Sequence, residues 1–239
     1  MNNKIIHSTQ PITLVGGGVV NAQDIALALT LAPTCVAADG GADAALTAGI
    51  VPDAVIGDLD SISDRARAQI PEAAVHHIAE QDSTDFDKVV RSVNAPVAVA
   101  VGFPGGRMDN ALSVVHTLFA RPDRRIVVLG EEDVVFLCPR RITLPTQPED
   151  RVSLFPLSQV TGRSDGLFWP IEGLRFGPGV LSGTSNKATG PVTLEMDAPG
   201  MLCLLPRRFI QPVVQALLAL PEPSQWPALS EPRKDPQKP

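Results

Sequence analysis

The 239-residue sequence is short of cysteine, of concentrated positive charge and of long apolar runs, and each shortage removes a class of protein. Its three cysteines, Cys35, Cys138 and Cys203, lie far apart in apolar segments. With no CxxC pair and no His/Cys cluster there is no zinc framework, and an odd, scattered set makes a poor disulfide scaffold. They read as buried thiols of a reducing compartment. Lys and Arg number 20 against 26 Asp and Glu, for a net charge of -6. That balance argues against nucleic acid as a partner, because phosphate backbones are held by concentrated basic patches. No uncharged run is long enough to span a bilayer, and MNNKIIHSTQ lacks the apolar stretch of a secretion signal. The expected location is cytoplasmic, with no membrane partner. The P-loop pattern GxxxxGKS/T is missing, and so is a GxGxxG with a distant acid for dinucleotides. His7, His76, His77 and His116 lie outside the polar loops described below, so no Ser-His-Asp arrangement is persuasive. There is no internal repeat.

What is present is an ordinary globular composition, 44% hydrophobic and 19% charged, long enough for a substantial core. From residue 11 to 130 short apolar runs alternate with amphipathic stretches. The runs at 12–15, 34–38, 53–56, 75–78, 96–101 and 124–130 read as strands; the stretches after Asn21, at 63–69, 84–93 and 109–120 read as helices. Nearly all-apolar strands separated by helices imply a parallel sheet covered on both faces. After Val134 the texture changes to short β-type runs split by Pro and Gly, with a last helix at 212–220. The expected fold class is α/β. A Rossmann-like parallel-sheet domain (1–133) is followed by a smaller antiparallel, sandwich-like β domain (134–220), and the Pro-rich tail (221–239) reads as disordered.

Ligands of parallel sheets sit outside the carboxyl ends of the strands, and four polar loops fall there. In ADGGADAAL, Asp39 ends a strand and Gly40-Gly41 open a helix, which lets a ligand approach the backbone. A tight turn explains the same letters. In GDLDS, Asp58 and Asp60 alternate along an extended segment, so both carboxylates can point to one side, as a hard divalent cation requires. A helix cap from Asp60, Ser61 or Ser63 accounts for one acid but not two. In EQDSTDFDKVV, Thr84 and Asp85 stand where a helix starts, so capping competes with function. In VGFPGGRMDNAL, Gly105-Gly106 bring the backbone close to whatever Arg107 holds, and an arginine fork matches phosphate oxygens. Asp109 there can also be read as a cap. Together these loops fit a Mg2+-dependent nucleotide site.

The strings ADGGAD (38–43), PDAVIGDLDSI (52–62), QDSTDFDK (81–88) and GGRMDN (105–110), in this order and spacing, resemble the thiamin pyrophosphokinase family. A looser match continues through GLFWPIEG (166–173) and GTSNK (183–187), so the resemblance covers about residues 12–205. It implies a homodimer that transfers diphosphate from ATP to thiamine, giving AMP and thiamine diphosphate with Mg2+ required. By motif, Asp58, Asp60 and Asp85 would hold the metal and, with Arg107, carry the catalysis. Asp39, Gly40, Gly41, Ser61, Gln81, Thr84, Gly105, Gly106, Arg107 and Asp109 would line the nucleotide and phosphate site. Ser185, Asn186 and Trp169 would contact thiamine. Many relatives have His where this chain has Asn110. The alternatives are a diphosphokinase for another hydroxymethyl heterocycle, such as a pterin, and a non-catalytic nucleotide- or thiamine-binding regulator.

Overall fold

The computed structural model describes residues 4–221 and 225–229. Its first half runs β1 (Ile6–His7), β2 (Ile12–Val15), α1 (Ala22–Leu31), β3 (Thr34–Ala38), α2 (Gly41–Thr47), β4 (Ala54–Gly57), α3 (Asp64–Arg67) and β5 (Val75–His77). It continues with α4 (Asp85–Ser92), β6 (Val93–Asn94), β7 (Ala98–Val101), α5 (Met108–Ala120) and β8 (Ile126–Leu129). The second half holds β9 (Asp133–Leu137), β10 (Arg141–Leu144), β11 (Arg151–Pro156), β12 (Gly162–Leu167), β13 (Thr184–Met196), β14 (Met201–Pro206) and α6 (Ile210–Leu218). Helices start where the sequence offers caps. Asn21 accepts from the Asp24 amide, Ser63 from that of Ala66 and Thr84 from that of Asp87.

Six strands pair in parallel in the order β5-β4-β3-β2-β7-β8. β2, β3, β4, β7 and β8 are buried along almost their whole length because helices cover both faces. The chain builds outward from β2 to β5, then returns to lay β7 on the other side of β2. That reversal is a switch point. It opens a crevice at the carboxyl ends of β2, β3 and β7.

The main sheet is mixed rather than purely parallel. After β8 the chain turns back within four residues, with the Gly130 amide donating to the Asp133 carbonyl at 2.8 Å. A connection that short has no room for a crossover helix, so β9 must pair antiparallel to β8. The antiparallel strands then continue the same sheet as β9-β14-β11-β13. The first residues of β13 pair with β11, and its last ones pair with β10 and β12. GTSNK and PVTLEM are therefore two ends of one strand that passes from the main sheet to an outer three-stranded layer.

Part of the tail expected to be disordered lies outside the described residues. Within the tail, Gln225 and Trp226 pack against the fold. Trp226 is 4% exposed, donates its indole N–H to the Cys138 carbonyl at 2.8 Å and lies under the Arg140 guanidinium. Gln225 donates to the carbonyl of Arg124 at 3.2 Å and also to that of Pro122. Burying an indole this fully is worth several kcal/mol, so Trp226→Ala is expected to cost about 3 kcal/mol. A urea midpoint within error of the parent's would show that this segment contributes nothing.

Candidate active site

β4 ends at Gly57, where a Cβ would lie 2.9 Å from the Asp39 Cβ. Only glycine lets this strand end press against Asp39. Asp39 follows β3 in a left-handed conformation (φ 44°), is 1% exposed and accepts from the Ser61 amide. The segment beyond Gly57 is not extended as the sequence pattern suggests. Leu59 is left-handed (φ 63°), which is rare for a branched residue, and its side chain packs on a small core of Ala37, Ala42, Val55 and Ile70. That turn brings Asp58 and Asp60 to Asp39, and one oxygen of each of the three lies within 4.8 Å of the others.

Asp58 is the most constrained member. Its Oδ2 accepts from Gln81 Nε2 at 2.8 Å and from Lys88 Nζ at 3.0 Å. Its Oδ1 is buried without a partner. Lys88 is 2% exposed and also donates to Asp85 Oδ1 at 3.1 Å. The Lys88 hydrogen bond holds the Asp58 carboxyl down to about 2 against the opposing effect of burial. Asp39 is pushed up to about 6, first by burial and then by the charge of Asp85. Three carboxylates around an unpartnered buried oxygen are a hard-oxygen donor set that fits a small divalent cation.

The raised Asp39 carboxyl has a consequence for pH. Between its ordinary value of 3.8 and about 6, the folded state keeps a proton that the unfolded chain has lost. Metal-free stability attributable to Asp39 therefore falls as pH rises through that window and stays reduced above it. Asp39→Asn is expected to abolish this fall and, with chelator present, to melt above the parent at pH 7. A midpoint at or below the parent's at pH 7 would contradict the assignment.

The crevice at the switch point is a cavity of about 450 Å3. Gly17 and Gly18 enter it after β2, Gly40 after β3, and Gly102 and Phe103 after β7. Ser61, Thr84 and Asp85 line it, as do Asp43, Ser63, Asn110 and Ser113. Asn110 thus faces the cavity. Asp43 accepts from the Ser63 amide at 2.9 Å and from its hydroxyl.

Of the residues expected from sequence, Asp39, Asp58, Asp60, Ser61, Gln81, Thr84 and Asp85 converge, although Asp85 is tied to Lys88 and the close trio contains Asp39 in its place. Gly41 packs on the end of β2. Gly105 sits against Val19. Arg107 is not among the cavity's lining residues; its side chain is 76% exposed and pairs with Asp109. The actual cap position of α5 is Arg107, and Asp109 lies in the first turn. Ser185 lines a separate apolar groove with Leu112, Phe155 and Leu204. Asn186 is buried and spends its amide on the backbone of Trp169, accepting from its N–H and donating to its carbonyl at 2.7 Å. The Trp169 ring is exposed and edge-on to Phe168. Lys88 was the main residue sequence reasoning missed. Its only signal is the three-residue spacing from Asp85 on a helix whose neighbours Phe86, Val89 and Val90 are buried.

Residues 26–128 match the profile described as the thiamin pyrophosphokinase catalytic domain. That span contains Asp39, Asp58, Asp60, Asp85, Lys88 and Arg107, the whole of the acid cluster and its cation. Thiamine pyrophosphokinase 3 of Oryza sativa subsp. japonica is 28% identical over 154 residues, which is 56% of this chain and 58% of that protein. The thiamine pyrophosphokinase of Bacillus subtilis (strain 168) is 33% identical over 90 residues, 35% of this chain and 42% of that one.

Across its first half the chain is similar to the thiamin pyrophosphokinase family.

The fold agrees with that of solved family members. The thiamin pyrophosphokinase of Geobacillus thermodenitrificans superposes with a TM-score of 0.67 at 23% identity, covering 82% of this chain and 97% of that one. The enzyme from Candida albicans gives 0.69 at 15% identity, covering 86% and 94%. This chain's matches span 58% to 63% of the length of the curated plant relatives. The likeness to these relatives is concentrated in the part of the chain that carries the acid cluster.

Proposed function

We propose that the protein transfers diphosphate from ATP to the hydroxyl of thiamine, releasing AMP and thiamine diphosphate, with Mg2+ bound at the acid cluster. The observation that carries this reading is the buried, unpartnered Asp58 Oδ1 beside Asp39 and Asp60, at the mouth of a glycine-lined switch-point cavity. Asp58, Asp60 and Asp39 would hold the ion, with Asp85 beside them. The metal supplies charge neutralisation to the polyphosphate. Such transfer depends mainly on positioning and charge stabilisation rather than on acid–base work. The backbone at Gly17, Gly18, Gly40 and Gly102 admits phosphate closely, and the Thr84 and Ser61 hydroxyls offer donors. Arg107 serves the phosphates once it exchanges its exposed Asp109 partner for them.

Residues 1–133 form the Rossmann-like phosphate-binding unit in this reading, and 134–220 the sandwich-like unit that contributes to thiamine binding. Ser185 and the Trp169 ring, held by Asn186, are the thiamine-side residues. A homodimer in the cytoplasm is the working assembly; among the described residues no helix is long and apolar enough to cross a membrane.

The test is substrate choice. With ATP and Mg2+, thiamine should elicit AMP release, while a hydroxymethylpterin should give none above background. Equal release with both, or with the pterin alone, would reject thiamine as the acceptor.

A further inference from the structure

The acid cluster already contains a cation of its own. Lys88 is among the largest fully buried side chains of the described residues and the one charged member of that group. Its ammonium bridges Asp58 Oδ2 at 3.0 Å and Asp85 Oδ1 at 3.1 Å. Gln81 completes the hold on the same Asp58 oxygen. One carboxylate is thereby divided, with Oδ2 committed to the protein and Oδ1 left without a partner.

We infer that Lys88 is the resident counter-ion of this cluster: it keeps Asp58 and Asp85 in place before any ligand arrives and weakens the cluster's grip on a bare divalent cation, so the cation enters together with polyphosphate. This rests on the reading of the cluster as the metal site. The physical argument is one of charge. Four carboxylates, Asp39, Asp58, Asp60 and Asp85, crowd one corner that runs from the buried Asp39 to the exposed Asp60, and such a cluster without compensation would repel itself or capture any available cation. Lys88 removes one unit of that charge permanently. A cation on Oδ1 shares its carboxylate with the ammonium and is repelled by it in a region of reduced dielectric. Polyphosphate adds negative charge to the same corner and reverses the balance. Lys88 is thus a positioning residue, acting on the ion through Asp58. A merely structural lysine would leave the affinity for a bare ion unchanged.

The experiment measures Mn2+ binding to the full chain by the loss of its free-ion EPR signal, with and without α,β-methylene ATP, after subtracting the loss the analogue causes in a protein-free titration. The parent should bind Mn2+ at least about tenfold more tightly with the analogue than without it. Lys88→Met should bind Mn2+ alone at least about tenfold more tightly than the parent, and gain less from the analogue. Lys88→Gln keeps an N–H donor without the charge, so it should fold even where the Met variant does not, and should shift the same way. Unchanged or weaker binding of Mn2+ alone in the folded variants overturns the counter-ion role while leaving the metal site standing. Failure of the parent to bind Mn2+ even with the analogue overturns the metal-site reading and this inference with it.

Discussion

Asp58→Asn is expected to lower turnover at least about a hundredfold while the protein stays folded. Asparagine fills nearly the same volume and still offers an oxygen to Gln81 and Lys88, so the local hydrogen bonds survive. What is lost is the negative charge behind the unpartnered Oδ1, the atom best placed to face a cation beside Asp39 and Asp60. The Lys88 ammonium keeps Asp85 as a charged partner, which limits the cost to stability. Steady-state rates with ATP, Mg2+ and thiamine, alongside a melting curve, check both halves. A folded variant with near-parental turnover would show that Asp58 holds no metal.

The second large effect is on folding. A Cβ at Gly41 would lie 2.0 Å from the Val15 carbonyl oxygen and 2.7 Å from its carbon. Neither atom can rotate aside, because both belong to the backbone of β2. Gly41→Ala must therefore push the start of α2 off the end of β2, which also moves Asp39 and Gly40 at the cavity wall. The expected cost is about 3 kcal/mol or more, lowering the melting temperature by roughly 6–12 °C. Gly190→Ala is the control: nothing lies within 4 Å of the added methyl, so its effect should stay within about 0.5 kcal/mol. A melting temperature for Gly41→Ala equal to that of the control would refute the packing argument.

Much of the first half was legible because its signals are local. Apolar runs gave the strands, and Asn21, Ser63 and Thr84 cap the helices their positions suggest. The convergence of the loops followed from one topological rule about parallel sheets. Features that depend on distant chain segments were not legible. Asp39 joins Asp58 and Asp60 because Gly57 lets β4 close on it and because Leu59 turns left-handed, and neither conformation is written in residue spacing. Lys88 reads as a surface lysine until α4 is known to be buried against β3 and β4 on the side that meets Asp58. In the second half, the Gly130 turn merges the antiparallel strands into the main sheet. Asn186 and Trp226, the latter in a Pro-rich stretch, are both fixed by long-range hydrogen bonds to backbone. Sequence patterning reports which face of an element is apolar; it does not report which element will meet that face.

The central claim is that this cluster and cavity transfer a diphosphate as one unit. The most direct measurement is product analysis by 31P NMR after incubating the full chain with ATP, Mg2+ and thiamine. Equal amounts of AMP and thiamine diphosphate, lost on chelation, are predicted. ADP with thiamine monophosphate, or no thiamine ester from folded protein, would contradict it.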